Sequence, residues 1–401
     1  MTILLVRLRL IGDVVLTTPL LRALRRQFPQ AEITYLVEPA AAAVVRGNPR
    51  IDQLLVVPRP RGLERLRLDM TIARDLRRRH YDVVIDLHGG PRAAWFTWAS
   101  GAPTRIGYTI AGRSWIYSHV IQRTADEAPR HSVANQWDLL APLGIGPPDP
   151  ARDPLEMPAD QIAAASVTHR LQDAGIGGAH PIVVIHVSAG NPFRRWPAES
   201  FEALVVSLAR RDPTRRIILT SGPSDAPAAG RIAAAARTQL GSLADTVADI
   251  GDLDLSELRA LVDRAAVYIG GDSGPLHIAS TTTTPVVALF GPTLAERSMP
   301  WRDPALFAEA IDAGPLECRP CRQRTCAPGD FRCLTRITAD RVAAAVERAL
   351  ESGVSVRREP SAEHPADSAE HRADNAEHRG NSAEHRASGV RSTKPDRNVS
   401  R

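Results

Sequence analysis

The fold class follows from one segment, Val267-Tyr-Ile-Gly-Gly-Asp-Ser-Gly-Pro-Leu-His-Ile-Ala279. The short apolar run at 265–269 predicts a buried strand, and Gly270 and Gly271 end it. Pro275 then stands where a proline suits the first turn of a helix. The segment therefore predicts a strand, a tight turn and a helix, the unit from which α/β proteins with parallel sheets are built.

The turn of this segment carries polar residues that favour binding of a phosphate. Asp272, Ser273, Gly274 and His277 lie beside the start of the predicted helix. Free backbone N–H groups and the positive end of the helix dipole meet there, and both attract an anion. The alternative is an ordinary turn in which Ser273 or Gly274 only caps the helix.

The N-terminus repeats this pattern. An apolar strand at 3–8 precedes Gly12 and Asp13, and the stripe of an amphipathic helix follows at Leu16, Leu20, Leu24 and Phe28. In an open parallel sheet, ligands bind at the loops after the carboxyl ends of strands, which makes Asp13 a candidate site residue. Helix capping is its alternative role. The loop has a single glycine and so lacks the GxGxxG fingerprint of a nicotinamide enzyme.

Two further strand ends lie in the second half of the chain. Residues 182–197 combine a buried strand, a small-residue loop that includes Ser188, and the pair Arg194 and Arg195. Arginine pairs in loops are commonly solvated, but a pair placed after a strand end also suits anion recognition. Residues 216–225 form another strand with a Ser-Gly turn at Ser221. Together the four strand ends predict a two-lobed α/β protein that binds a phosphorylated ligand.

Composition bounds the size and the class of the protein. With 401 residues, 43% of them apolar, the chain can bury two ordinary domains. Strand and helix patterns alternate throughout, which predicts parallel sheets. The 50 basic residues stand against 45 acidic ones, and the dense basic run at 74–80 predicts the solvated face of a helix. No nucleic-acid partner is expected from this balance.

The chain resembles a known family of enzymes. The motifs that carry the resemblance are Gly12-Asp13, Arg-Arg-Trp-Pro at 194–197, Asp-Ser-Gly-Pro-Leu-His at 272–277 and Phe-Gly-Pro-Thr at 290–293. In order and spacing they are similar to those of the family 9 glycosyltransferases, the heptosyltransferases of lipopolysaccharide assembly. The resemblance covers residues 1–350 and implies a GT-B type fold, in which two Rossmann-like lobes with parallel sheets face a cleft.

The expected division of the chain has three parts. Residues 1–150 are expected to form an acceptor-binding lobe and residues 159–352 a lobe that binds the nucleotide sugar, with a proline-rich linker between them. The resemblance implies that a final helix over 338–350 crosses back to the first lobe. Residues 353–401 carry a seven-residue repeat with Ala-Glu-His and have no aromatic residue, which predicts a disordered tail.

The resemblance also implies roles for individual residues. An ADP-sugar, typically ADP-heptose, docks on the second lobe, and a lipopolysaccharide core or similar glycan is the acceptor. Asp13 is implied to be the general base of an inverting displacement, while Arg194, with Arg195, neutralises the departing nucleoside diphosphate. The other donor-binding candidates are Ser188, Ser221, Leu253, Asp272, Ser273, Gly274 and His277. Family members usually carry a lysine at the position of Arg194; arginine keeps the cation but cannot act as an acid.

The sequence also allows predictions about metal binding and location. The resemblance implies that helix N–H groups and an arginine bind the diphosphate in place of a metal ion, so no cofactor is expected to be required for catalysis. A structural zinc is an open alternative at Cys318, Cys321, Cys326 and Cys333, although the second pair departs from the usual spacing. Because no apolar run is long enough to span a membrane and residue 1 leads straight into a strand, we expect a cytoplasmic protein or one peripheral to the inner membrane.

Two other functions stay open on the sequence alone. A nucleotide-sugar epimerase of the same two-lobed build would share the diphosphate site but need no acceptor. A zinc-stabilised nucleic-acid-binding protein would use the basic surface and the cysteines, and its affinity would fall steeply with salt.

Overall fold

Short apolar segments form two separate parallel sheets. The computed structural model describes residues 1–123, 129–321 and 323–358, with side chains as far as Gly353. In that part of the chain, the first sheet consists of β1 (Thr2–Val6), β2 (Glu32–Val37), β3 (Gln53–Val56), β4 (Val83–Asp86), β5 (Thr104–Tyr108) and β6 (His119–Ile121). Their order is β3-β2-β1-β4-β5-β6, and neighbouring strands are parallel.

The second sheet has the same winding. Its described strands are β7 (Ile182–His186), β8 (Arg216–Thr220), β9 (Val247–Ala248), β10 (Val267–Gly271), β11 (Val286–Phe290) and β12 (Ala308–Asp312). They lie in the order β12-β11-β10-β7-β8-β9, again all parallel. In each sheet the first strand therefore lies beside the fourth, and the chain winds outward in both directions from that pair. Such a switch point leaves a crevice at the carboxyl ends of the strands, where ligands bind.

Helices cover both faces of each sheet. The helices of the first lobe are α1 (Ile11–Val15), α2 (Thr18–Gln27), α3 (Pro39–Val45), α4 (Gly62–Arg78), α5 (Pro91–Ser100) and α6 (Ser132–Trp137). Those that follow are α7 (Gln161–Asp173), α8 (Ala198–Arg211), α9 (Ala226–Leu240), α10 (Leu255–Arg264), α11 (Gly274–Ala279), α12 (Ala295–Ser298), α13 (Arg332–Thr335) and α14 (Ala339–Arg358). The predicted two-lobed α/β fold with parallel sheets is confirmed. Among the described residues, none of these helices is long and apolar enough to cross a membrane.

The central strands are apolar on both sides because helices lie on both sides. In β1, Ile3 and Leu5 belong to the core on one face of the first sheet, whereas Leu4 and Val6 belong to the core on the other. All four side chains are fully buried. Continuous apolar runs of this kind are typical of parallel strands, and they were the strongest fold signal in the sequence.

Three local expectations differ from the structure. Asp13 lies in the short helix α1 rather than in a loop, and the predicted stripe of leucines continues in a separate helix that begins at Thr18. Strand β6 was not predicted, because its three residues are partly exposed and form no apolar run. The linker is not free: Leu155 and Met157 are buried in the core of the first lobe.

The final helix corrects the implied path of the chain. Helix α14 runs on to Arg358, beyond the boundary expected for the tail. Val342 and Val346 lie buried in the core of the second lobe, so the expectation that this helix crosses back to the first lobe is wrong for its described side chains. The repeat from 361 onward, with its four histidines, lies outside the described residues.

Candidate active site

The two lobes meet where α1 contacts α11. On Gly12 a Cβ atom would lie 2.8 Å from Cδ2 of His277 and 3.3 Å from Cα of Gly274. On Gly274 it would lie 3.1 Å from Cβ of Ile11. Ile278 continues this contact, since its side chain is buried in the core of the first lobe. Two glycines therefore let the segments after β1 and β10 approach closely, and the switch points of the two sheets face each other.

Asp13 is held at this contact by an arginine that sequence reasoning missed. Arg7 ends the apolar run of β1, is 8% exposed, and forms an ion pair with Asp13. It also donates a hydrogen bond to the carbonyl of Leu87, at the end of β4. Asp13 does not cap α1: the N-cap residue is Leu10, and its side chain makes no capping hydrogen bond. A single arginine inside an otherwise apolar strand was the signal that could have identified this pair.

His88 belongs to the same cluster. It follows β4 in the Asp86-Leu-His-Gly-Gly turn. Burial and, to a smaller degree, the positive charges of Arg7 and Arg9 lower the pKa of His88 to about 4, while the charge of Asp13 opposes them. The imidazole is therefore neutral at pH 7. The first lobe thus offers a carboxylate and a neutral imidazole at its switch point.

In the second lobe, Arg194 lies against the turn between β10 and α11. Its Nη1 is 3.0 Å from Oδ2 of Asp272, and Asp272 is buried with 4% exposure. Its Nε donates a 2.7 Å hydrogen bond to Oε1 of Gln323, which also accepts one of 3.0 Å from Nδ2 of Asn191. Gln323 was missed in the sequence, where 129 residues separate it from Arg194 and no motif marks it. The side chain of Arg194 is 32% exposed, whereas that of Asp272 is 5% exposed.

Polar atoms beside Arg194 lack protein partners. Among the described residues, Oγ of Ser273 and Nδ1 of His277 are buried without a hydrogen bond. Nε2 of His277 lies 3.9 Å from Oδ1 of Asp272, and burial lowers the pKa of this imidazole while the charges of Asp272 and Asp13 oppose that effect. Ser273 occupies the N-cap position of α11 without making a capping hydrogen bond. Buried polar groups are normally satisfied, so these atoms are available to a ligand.

Arg195 and Ser188 connect neighbouring loops of the second lobe. Nη2 of Arg195 lies 3.0 Å from Oδ1 of the buried Asp225, and its Nε donates to the carbonyl of Ala189. Oγ of Ser188 accepts a 2.9 Å hydrogen bond from the backbone N–H of Gly222. The two adjacent arginines therefore pair with different acids, and Arg195 holds the loops after β7 and β8 together.

Ser221 and Leu253 line a separate cavity at the carboxyl ends of β7, β8 and β9. Its volume is about 310 Å³, and His186, Asp249 and Asp252 also line it. The sequence predicted both Ser221 and Leu253 as donor-binding residues, and in the structure both line this same cavity. Asp13, Arg194, Asp272, Ser273, Gly274 and His277 form the other group, at the contact between the lobes.

His186 makes the stability of this lobe depend on pH. Burial lowers its pKa to about 4, whereas an unfolded chain titrates near 6.5. Between these values the unfolded state binds more protons, so stability falls as the pH drops from 6.5 towards 4. Urea denaturation at pH 7 and at pH 5 measures how much unfolding free energy the protein loses on acidification. We expect His186→Gln to lose about 2 kcal/mol less than the wild type between these two pH values.

A matched control separates this effect from a general loss of a histidine. His119 is exposed on β6, so His119→Gln is expected to keep the pH dependence of the wild type. An unchanged pH dependence in His186→Gln would contradict the role given to this buried imidazole.

The cysteines are not gathered into a metal site. Within the described ranges, no group of three or more His, Cys, Asp or Glu side chains is placed so that it could hold a metal ion. Burial raises the pKa of Cys333, and the charges of Cys318 and Cys326 add to that effect. The structure gives no support to a structural zinc, which stays a prediction.

Two Rossmann-like lobes whose strand-end crevices face each other define a two-lobed α/β protein with a candidate ligand site at the contact between the lobes. The family model described as glycosyltransferase family 9 (heptosyltransferase) matches residues 70–331. The chain belongs to this family, and it is a glycosyltransferase.

Individual relatives cover most of the chain. It is 27% identical over 357 residues to lipopolysaccharide heptosyltransferase 3 of Escherichia coli, a match that covers 87% of this chain and 99% of the relative. Among solved structures, the family 9 glycosyltransferase of Veillonella parvula DSM 2008 matches with a TM-score of 0.74 and 23% identity, over 87% of this chain and 97% of that one. E. coli ADP-heptose LPS heptosyltransferase II matches with a TM-score of 0.68 and 19% identity, over 88% and 99%. The fold is thus like that of the GT-B heptosyltransferases, as the sequence predicted.

Proposed function

We propose that this glycosyltransferase moves a heptose or related sugar from an ADP-sugar to a lipopolysaccharide core or similar glycan, with inversion. One observation carries the proposal: Asp13 lies at the lobe contact, within electrostatic reach of the Asp272, His277 and Arg194 group. A base and a site for a leaving anion on opposite sides of a cleft suit a single displacement. The names of the relatives support the choice of sugar and acceptor.

The chemistry follows from these positions. The carboxylate of Asp13 accepts the proton of the acceptor hydroxyl while that oxygen forms a bond to the anomeric carbon. The bond from the anomeric carbon to the phosphate oxygen breaks on the opposite face, and the electron pair leaves with the nucleoside diphosphate. Attack opposite the leaving group inverts the anomeric centre. Arg7 keeps the carboxylate oriented through their ion pair.

The second lobe stabilises the leaving group in this proposal. Arg194 presents the exposed side of its guanidinium to the diphosphate, and the unpartnered hydroxyl of Ser273 donates a hydrogen bond. His277, buried beside them, is placed to contact a hydroxyl of the sugar. The nucleoside occupies the cavity of Ser221 and Leu253. In this proposal, Arg7 and Arg194 are the cations that act in these steps.

We also propose a location at the cytoplasmic face of the inner membrane, with the first lobe binding the acceptor. A lipopolysaccharide core is attached to lipid, so an enzyme that modifies it must reach a membrane surface. The basic composition supports an approach to anionic lipid.

Nucleotide binding tests the proposal most directly. Isothermal calorimetry of the full chain with ADP, UDP and GDP, each alone and as a sugar conjugate, is expected to give the tightest binding for ADP and ADP-heptose. A preference for UDP or GDP would overturn the proposed donor, and binding of none of them would overturn the site. Conversion of the sugar without any acceptor would favour the epimerase alternative.

The glycine contact gives a second test. Gly12→Ala places a methyl group against the buried ring of His277 and is expected to lower kcat about tenfold or more, because a small misplacement of catalytic groups is costly. The Kd for ADP should change little, since the nucleotide binds the second lobe. Gly178→Ala, whose Cβ would have no neighbour within 4 Å, is the matched control. Equal kcat values in the two variants would contradict the requirement for close approach.

A further inference from the structure

Helix α4 carries large apolar side chains that the other described elements leave exposed or cover only in part. Leu63, Leu66 and Met70 are exposed by 75%, 61% and 37%. Their spacing of three and four residues puts them on one side of the helix, and Arg74 and Arg77 continue that side over the next two turns. The side that carries Leu76 packs on the first sheet instead. The exposed leucines and methionine are therefore not part of the core.

Tryptophans extend this surface onto α5 and the turn before β6. The rings of Trp95 and Trp98 are 5.3 Å apart, and those of Trp98 and Trp115 are 6.4 Å apart. Trp98 is 45% exposed and Trp115 69%. A groove of about 670 Å³, lined by Met70, Arg74, Arg77, Trp95, Trp98 and Arg105, joins the two helices. We call Leu63, Leu66, Met70, Arg74, Arg77, Trp98 and Trp115 the α4–α5 face.

The charges of this face are of one sign. Within the described part of the chain, Arg74 and Arg77 form no ion pair, whereas many other arginines do, such as Arg92 with Glu38 and Asp69. Exposed tryptophan and leucine between unpaired arginines match the interface of an anionic bilayer, where aromatic rings sit at headgroup level and cations meet lipid phosphates. A second copy of this face would bring like charges together, which disfavours self-association.

We propose that the α4–α5 face docks the first lobe on an anionic lipid bilayer. The inference rests on the proposed function in one respect, that the acceptor is attached to lipid. Leucine, methionine and tryptophan side chains enter the headgroup region, and the two arginines contact lipid phosphates. The face lies on the lobe proposed to bind the acceptor, so docking holds the enzyme where its acceptor is.

Vesicle flotation of the full chain tests the proposal. Phosphatidylcholine vesicles are used with and without phosphatidylglycerol, at low and high salt. The wild type is expected to float only with the anionic vesicles and to lose binding at high salt. Trp98→Ser combined with Trp115→Ser, and separately Arg74→Gln combined with Arg77→Gln, should each weaken binding about tenfold or more. Matched controls on the second lobe are Ile162→Ser, at an 84% exposed site, and Arg210→Gln with Arg211→Gln.

Each result decides one question. Absent binding to anionic vesicles, or equal losses in the face variants and the controls, would overturn the docking surface. So would a wild-type dimer that the tryptophan variant converts to a monomer, since the face would then bind a second copy. ADP affinity and transfer to a water-soluble acceptor should be unchanged in the face variants. If the wild type transfers no sugar yet floats, the proposed function fails while the docking surface stands.

Discussion

Asp13→Asn is expected to lower the rate of sugar transfer by about 10²- to 10⁴-fold, the range that a lost general base produces. The amide has nearly the size of the carboxylate but cannot accept the proton of the acceptor hydroxyl. Donor binding should be nearly unchanged, because Arg194 and Ser273 lie on the other lobe. The measurements are kcat at saturating donor and acceptor, and the Kd for ADP by calorimetry.

The loss of an ion pair must be separated from the loss of a base. Asp13→Asn also leaves Arg7 without its carboxylate, although the hydrogen bond of Arg7 to Leu87 remains. Asp52→Asn is the matched control, since Asp52 is an aspartate of the first lobe that pairs with Arg25 at 2.7 Å, away from the cleft. The variant Asp52→Asn should keep the kcat of the wild type. A joint loss of transfer and ADP binding in Asp13→Asn would indicate a structural role for this residue instead.

The architecture could be predicted because it depends on local patterns. Apolar runs such as that of β7 predict a strand with both faces buried. Pro275 lies in the first turn of α11, as its position in the sequence predicted. The parallel arrangement then places every strand end at one edge of its sheet. That geometry is why Asp13 and Asp272 could be chosen from single strand ends. Their roles still stay predictions.

The rest of the site could not be predicted because it depends on contacts between distant segments. Arg7 directly follows the apolar strand β1, and the carbonyl of Leu87 to which it donates a hydrogen bond is 80 residues away. Gln323 reaches Arg194 from the cysteine-containing segment, whose path no periodicity indicates. The final helix was placed by resemblance alone, whereas its burial of Val342 follows from the core of the second lobe.

Arg194→Gln is expected to weaken ADP binding about 100-fold, as the loss of a charged hydrogen bond of about 2–3 kcal/mol implies. The same change leaves the buried carboxylate of Asp272 without its cation, so the free energy of unfolding should fall as well. Calorimetry with ADP and urea denaturation measure the two effects. Arg195→Gln is the control at the adjacent residue, and we expect it to lower stability through Asp225 while changing ADP affinity less.

Arg194→Lys tells the charge apart from the shape of the guanidinium. If the site needs only a cation for the leaving diphosphate, lysine should bring ADP binding to within about tenfold of the wild type. It would still lose one of the two contacts, because the hydrogen bond of Nε to Gln323 and the ion pair of Nη1 with Asp272 use different nitrogens of one rigid group. Equal ADP affinity in wild type, Arg194→Gln and Arg194→Lys would contradict the assignment of Arg194 to the diphosphate. Rescue by lysine but not by glutamine would show that the charge of Arg194, rather than its packing, binds the donor.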